Sequence, residues 1–288
     1  MKQESISERP TKFRAIRALS EAFSRQHPDI ALDLKGYAAD FHGTLLPEVS
    51  PEDFEGDLSS GDGNELETKF RAAHSSSGLA VNCFAPFRQR IADLTMLGHS
   101  GFDTLQFERK CPTGLRGGRA PNLDVALSGP NSVLAIESKL TEYLSAHRAD
   151  FSPAYEAQIR DARRDQGYFR EMLRLQDRPD HYTWLDAAQL IKHAFGLAHS
   201  FPDRPVTLLY LFWEPANQDA GPEFVARHEF AAHRDEIDEF RARVAGSSPT
   251  FEAMSYPELW QAWRDSAPTP GWLDKHLENL QGRYLVSI

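Results

Sequence analysis

Residues 121–143 read PNLDVALSGPNSVLAIESKLTEY, and the pairing of this stretch with itself sets the fold and the chemistry. Two apolar segments, NLDVAL and SVLAIESKL, flank SGPNS, whose Pro130 and Asn131 suit the centre of a β-turn. Side chains alternate along a strand, so Val133, Ala135, Glu137 and Lys139 share one face and Leu134, Ile136 and Leu140 the other. On the preceding strand Asp124 and Ala126 oppose Leu123, Val125 and Leu127. Folding the hairpin about Pro130–Asn131 sets Asp124 opposite Glu137, with Cβ atoms about 5 Å apart. A bulge at the turn would shift that pairing by one residue.

Two like charges placed opposite each other repel, so a cation is expected between them. Adjacent carboxylates suit a hard divalent ion: Mg²⁺ takes one or two carboxylates and completes its shell with water and phosphate oxygens, and Mn²⁺ is its expected substitute. Lys139, two residues beyond Glu137 on the same face, would orient or help deprotonate an attacking water, or neutralise charge building on a phosphate. A purely structural reading competes, in which Lys139 bridges Asp124 and Glu137 and nothing more.

Working outward, TLQFERKC at 104–111 reads as a short strand, TGLRGGRAP at 113–121 as a Gly- and Arg-rich loop, and VTLLYLFWEP at 206–215 as a fully buried strand. ELETKFRAAHSSSGLAVNCF reads as one or two helices, with the serines at 75–77 able to cap a second. Helices are expected over 154–176, 185–199, 224–245, 256–265 and 271–281, with Trp260, Trp263 and Trp272 as packing residues. The arginines of 154–176 alternate with acids, as on a salt-bridged solvent face. Near the N-terminus, Phe13, Ile16, Leu19 and Phe23 mark an amphipathic helix with Lys12, Arg14 and Arg17 between them. Residues 46–64, rich in acid, Ser, Gly and Pro, read as a solvated connection. The expected organisation is therefore a helix and acidic connection over 1–60 and a main domain over 61–288. The fold class is α/β (α+β), a central mixed sheet flanked by helices.

Asp124 with Glu137-Ser138-Lys139 on the next strand resembles the signature of the PD-(D/E)xK nuclease superfamily, and the element order over about 64–215 resembles its restriction-endonuclease-like core. The wider run GNELETKFRAAHSSSGLAVNCF, then PNLDVAL and AIESKL, is similar to a bacterial branch of restriction-endonuclease-like proteins. One departure is Pro121, three residues before Asp124 rather than next to it. The resemblance implies a Mg²⁺-dependent nuclease cutting DNA to leave a 5′-phosphate, in a restriction, defence or repair setting. Asp124 and Glu137 would hold the metal, and Lys139 would position the water. It also implies an acid from the preceding helix: Glu67, set beside Phe70 and Ala73, is placed slightly ahead of Glu65. The helix at 185–199 would bring Gln189, Lys192 or His193 to the phosphate, and Arg116 and Arg119 would contact the backbone. Glu108-Arg109-Lys110 repeats the ExK pattern but, lacking an opposed acid at matched register, reads as a decoy.

Composition bounds these readings. The chain has 288 residues, 41% hydrophobic and 26% charged, with a formal net charge of −10, which argues against binding nucleic acid by bulk charge. Cys83 and Cys111 lack zinc-finger spacing and read as reduced thiols. The N-terminus has no secretory h-region and no apolar run is long enough to span a bilayer, so a cytoplasmic protein away from membranes is expected. A phosphate-binding GxxxxGK[ST] loop, a GxSxG elbow and HExxH are all missing, which disfavours ATP-driven, serine-hydrolase and zinc-hydrolase chemistry. A catalytically silent nuclease fold that binds DNA or protein is the rival, and a homodimer or a partner protein stays open.

Overall fold

The computed structural model describes residues 11–60, 64–115, 120–155, 166–217, 227–266 and 270–288. Its centre is a five-stranded mixed sheet in the order β1-β2-β3-β4-β5. The strands are β1 (Thr104–Lys110), β2 (Asn122–Ser128), β3 (Val133–Lys139), β4 (Val206–Phe212) and β5 (Thr250–Ser255). β1, β2 and β3 form an antiparallel meander, and β3, β4 and β5 run parallel. Eight helices are described: α1 (Thr11–Gln26), α2 (Glu55–Ser59), α3 (Ser76–Phe84), α4 (Gly167–Asp177), α5 (Ala187–Ser200), α6 (Arg227–Val244), α7 (Tyr256–Asp265) and α8 (Gly271–Tyr284).

The hairpin has the register expected of it. Val125 pairs with Ile136, Ala126 with Ala135, Leu127 with Leu134 and Ser128 with Val133, so no bulge shifts the turn. Consecutive residues of β3 reach opposite faces. Glu137 meets His193 of α5, and Ser138 shares a 2.7 Å hydrogen bond with Tyr256 of α7. Helices thus cover both faces, and all of β3 but Lys139 is buried. Parallel strands buried on both sides carry the continuous apolar runs seen in VLAI and LLYLF.

Three expectations are corrected. Residues 46–58 are not a solvated connection: Leu46, Val49, Phe54 and Leu58 are buried, and Phe54 stacks on Phe70 at 5.6 Å. Their acids occur at helix starts and surface turns, so composition hid four apolar anchors. No helix forms over 65–73, where only Lys69–Arg71 make a single 3₁₀ turn. There Thr68 Oγ1 bonds the Asn64 carbonyl, Arg71 bonds the Ala38 and Ala39 carbonyls, and Ala72 bridges to Tyr37. One local bond and these tertiary ones take the place of helical bonds. The second helix does form as α3, with Ser75 Oγ accepting from the Gly78 N–H as its cap. β5 was not foreseen, because TFEAMS buries only Phe251 and Ser255 and owes its strand form to pairing with β4. Residues 156–165 of the expected charged helix lie outside the described residues. In its described part, Arg174 pairs with Glu171 at 2.5 Å, but Glu171 is buried, so this pair is not on the solvent face expected.

One contiguous core runs from Ala15 of α1 through the sheet to Tyr284 of α8. Three cations of α1 have partners: Lys12 bonds Ser145, buried Arg14 bonds Thr11, and Arg17 pairs with Glu21 at the surface. α5 crosses the end of β1 at Gly196, where a Cβ would run into the Cys111 carbonyl oxygen and stand 3.1 Å from Pro121 Cγ. Gly196→Ala is therefore expected to cost about 1–3 kcal/mol, read as a lower urea midpoint. An unchanged midpoint would mean that α5 shifts without strain.

His233 of α6 stacks on Tyr143 at 4.1 Å and bonds the Tyr210 hydroxyl at 3.0 Å. Burial, then Arg234 and His147, push its pKa down to about 3. The folded state therefore keeps His233 neutral while the unfolded chain protonates near pH 6.5. Stability is full above that pH and falls as the pH drops toward 3, by up to about 1.4 kcal/mol per pH unit from this group. His233→Phe, which keeps a stacking ring, is expected to flatten that slope in denaturation curves taken from pH 7 to 4.

Candidate active site

The hairpin delivers its charges to one end of the sheet. Lys139 Nζ bonds Glu137 Oε1 at 2.5 Å and Gln189 Oε1 of α5 at 2.8 Å, and its side chain is 13% exposed. Asp124 stands opposite Glu137 by register, and its Oδ2 accepts the Ser138 backbone N–H at 2.6 Å. The strand ladder ends there, with the carboxylate of Asp124 standing in for the next backbone acceptor. Glu137 is 2% exposed, and its Oε2 lies 2.8 Å from His193 Nε2. That approach is out of line, so neither Oε2 nor either ring nitrogen of His193 has an aligned hydrogen bond.

The electrostatics separate the two carboxylates. Burial would raise Glu137, but Lys139 and then His193 outweigh it and bring its pKa to about 2. Asp124 moves the other way, pushed well above the usual carboxylate range by burial and then by the charges of Glu137 and Glu108. Burial opposes the charge on Lys139, yet Glu137 and Asp124 outweigh it and push its pKa up, so the side chain is a firm ammonium. Lys139 thus bonds Glu137 directly and reaches Asp124 only through its charge, which does not offset burial and the neighbouring acids there.

Glu108 is the residue that sequence reasoning set aside. The β1–β2 ladder pairs Phe107 with Val125 and Arg109 with Leu123, so the position between them puts Glu108 opposite Asp124. Burial and then the charge of Glu65 push Glu108 up to about 7, with Glu137 adding to the effect. It is no decoy; its opposing acid is Asp124. Strand alternation already put Glu108 on the polar face of TLQFERK. The residues joining β1 to β2 are too many for turn geometry to set the register.

Of the two upstream acids, the structure brings in Glu65, whose Oε1 accepts from Ser77 at the start of α3 at 2.7 Å. Glu67 is exposed and takes a bond from Asn64. Gln189 and His193, one helical turn apart on α5, both face Glu137-Ser138-Lys139. Lys192 instead lies over the Phe151 ring at 5.4 Å. Arg116 and Arg119 lie outside the described residues.

As the side chains stand, no three His, Cys, Asp or Glu among the described residues converge closely enough to hold a metal ion. The donor set nonetheless fits a hard divalent cation. It offers oxygen ligands, an acid pair whose repulsion is not fully compensated, and a buried Glu137 oxygen without an aligned hydrogen bond. Among the described residues no helix is long and apolar enough to cross a membrane. Comparisons with curated proteins and with solved structures find no match. A family model does match, over residues 17–285, and by it the chain belongs to the family described as restriction endonuclease associating with ARP.

Proposed function

We propose that this chain is a divalent-cation-dependent deoxyribonuclease of the PD-(D/E)xK type, an endonuclease that hydrolyses DNA phosphodiester bonds in a restriction, defence or repair setting. The observation that supports this most is Lys139, held by Glu137 and Gln189 beside an acid pair of which Glu137 is buried and Asp124 partly so. Asp124 and Glu137 would hold Mg²⁺, or Mn²⁺ in its place, which when bound supplies Lewis-acid stabilisation of the phosphate and a more acidic water. The chain's own residues supply the rest. Lys139, a firm ammonium, orients the attacking water and offsets charge on the phosphate rather than taking a proton. Gln189 fixes the Lys139 rotamer, and buried His193 stands 2.8 Å from Glu137 on its covered side.

The test is cleavage of supercoiled, linear duplex and single-stranded DNA with Mg²⁺, Mn²⁺ or EDTA, comparing wild type with Glu137→Ala and Lys139→Ala. Metal-dependent cutting lost in both variants supports the reading, and the preferred substrate separates nicking from end resection. Wild type inert on every substrate, with no cation binding that depends on Glu137, would leave a fold that binds DNA or protein without cutting.

A further inference from the structure

The acid pair has a third member. Register places Glu108 opposite Asp124 across β1 and β2, and Asp124 opposite Glu137 across β2 and β3. Three carboxylates from three neighbouring strands therefore form one rung on the face of the sheet that α5 covers. Neither the Glu108–Asp124 nor the Asp124–Glu137 position closes as a ladder pair, so the rung is where the meander opens. At Glu108 the backbone takes φ +48, a left-handed conformation that a glutamate adopts only when its surroundings hold it there. Pairing resumes on the same register beyond it, so no residue is inserted and the distortion is local to Glu108.

We infer that Glu108 is a third carboxylate ligand of the divalent-cation site, contributed by β1. The inference rests on the cation-dependent reading of Asp124 and Glu137. Two observations carry it besides the acid cluster. Glu137, on the same rung, is 2% exposed and has a carboxylate oxygen with no aligned hydrogen bond. The one lysine at the rung, Lys139, is bonded to Glu137 and Gln189, at the end of the rung away from Glu108. Glu108 has the Asn122 side chain as a hydrogen-bond partner and faces the charges of Glu65 and Glu137, a repulsion that agrees with a place for added positive charge. Three oxygen ligands from three strands suit an octahedral ion that keeps its remaining positions for water and phosphate.

Mn²⁺ binding to the full chain, measured by calorimetry without DNA, tests this independently of cleavage. Wild type, Glu108→Gln, Glu137→Gln and the remote charge control Glu278→Gln would be titrated together, with melting temperatures taken with and without Mn²⁺. If Glu108 is a ligand, E108Q weakens Mn²⁺ binding by roughly tenfold or more, at least the effect of losing an outer partner of a metal site. It also melts higher than wild type without metal, because a repulsion is gone, and loses the upward shift that Mn²⁺ gives wild type. Should E108Q not fold, Glu108→Asp, which withdraws the carboxylate by one methylene, is expected to weaken binding severalfold. E108Q or E108D binding Mn²⁺ within twofold of wild type, while E137Q loses it, overturns the role of Glu108 and leaves the proposed function standing. Wild type that binds no Mn²⁺ overturns both.

Discussion

Lys139→Ala is expected to lower metal-dependent DNA cleavage by about 10²–10³-fold while leaving the protein folded, the loss typical of a positioned transition-state donor. The side chain is 13% exposed at the sheet end, so the space its removal leaves is open to water rather than sealed in the core. What it leaves behind is Glu137 without its 2.5 Å partner, in a site already crowded with acid. Cation affinity is therefore expected to hold or rise while the rate falls, a split that a purely structural lysine would not produce. Lys139→Arg keeps the charge but replaces a compact ammonium with a broad planar fork, and is expected to recover little of the activity. A Lys139→Ala protein that cuts at the wild-type rate would sink the catalytic role outright.

The largest effect on stability is expected at Arg283. This residue of α8 is 1% exposed and donates to the Leu19 carbonyl at 3.0 Å and the Ala73 carbonyl at 2.7 Å. Its guanidinium lies 4.7 Å from the Phe23 ring centroid and 4.9 Å from that of Tyr284. Burial pulls its pKa down, yet an arginine stays charged under any working condition. Arg283→Ala removes the stacking volume and strands two buried carbonyls, a loss of about 3–5 kcal/mol and a melting temperature lower by on the order of 10 °C. Arg283→Met refills the space but not the hydrogen bonds, and is expected to fall between. Equal stability of Arg283→Met and wild type would show that the carbonyls find other donors. Because Ala73 precedes the Ser75–Ser77 cap that holds Glu65, the alanine variant should also loosen the outer acid of the site.

The hairpin was legible because its information is local. A tight turn and a period-two pattern fix the register, and the register alone puts Asp124 against Glu137. α5 was legible as a helix for a similar reason, but which of Gln189, Lys192 and His193 meets the hairpin was not, because that depends on how the helix lies on the sheet. What escaped the sequence depends on contacts between distant segments. Phe54 and Phe70 draw acid-rich chain into the core, which no local composition signals. β5 exists because β4 offers it an edge. Glu108 joins the rung only once β1 has been laid against β2, and the loop between them carries no turn signature to place it. The preference for Glu67 failed differently. It assumed a helix, and the Thr68 and Arg71 side chains divert that backbone to other partners.

The left-handed residue in β1 also bears on how copies of this chain meet. β1 is an outer strand of the sheet, and outer strands are templates on which a second chain can add by backbone pairing; here Asp57 of α2 already takes the Phe107 N–H at 3.0 Å. A strand laid along β1 would reach the twisted backbone at Glu108 midway and would have to match it to continue. Few sequences do so, which makes this edge a poor seed for aggregation. The distortion at the third carboxylate of the rung thus also guards the sheet against its own kind.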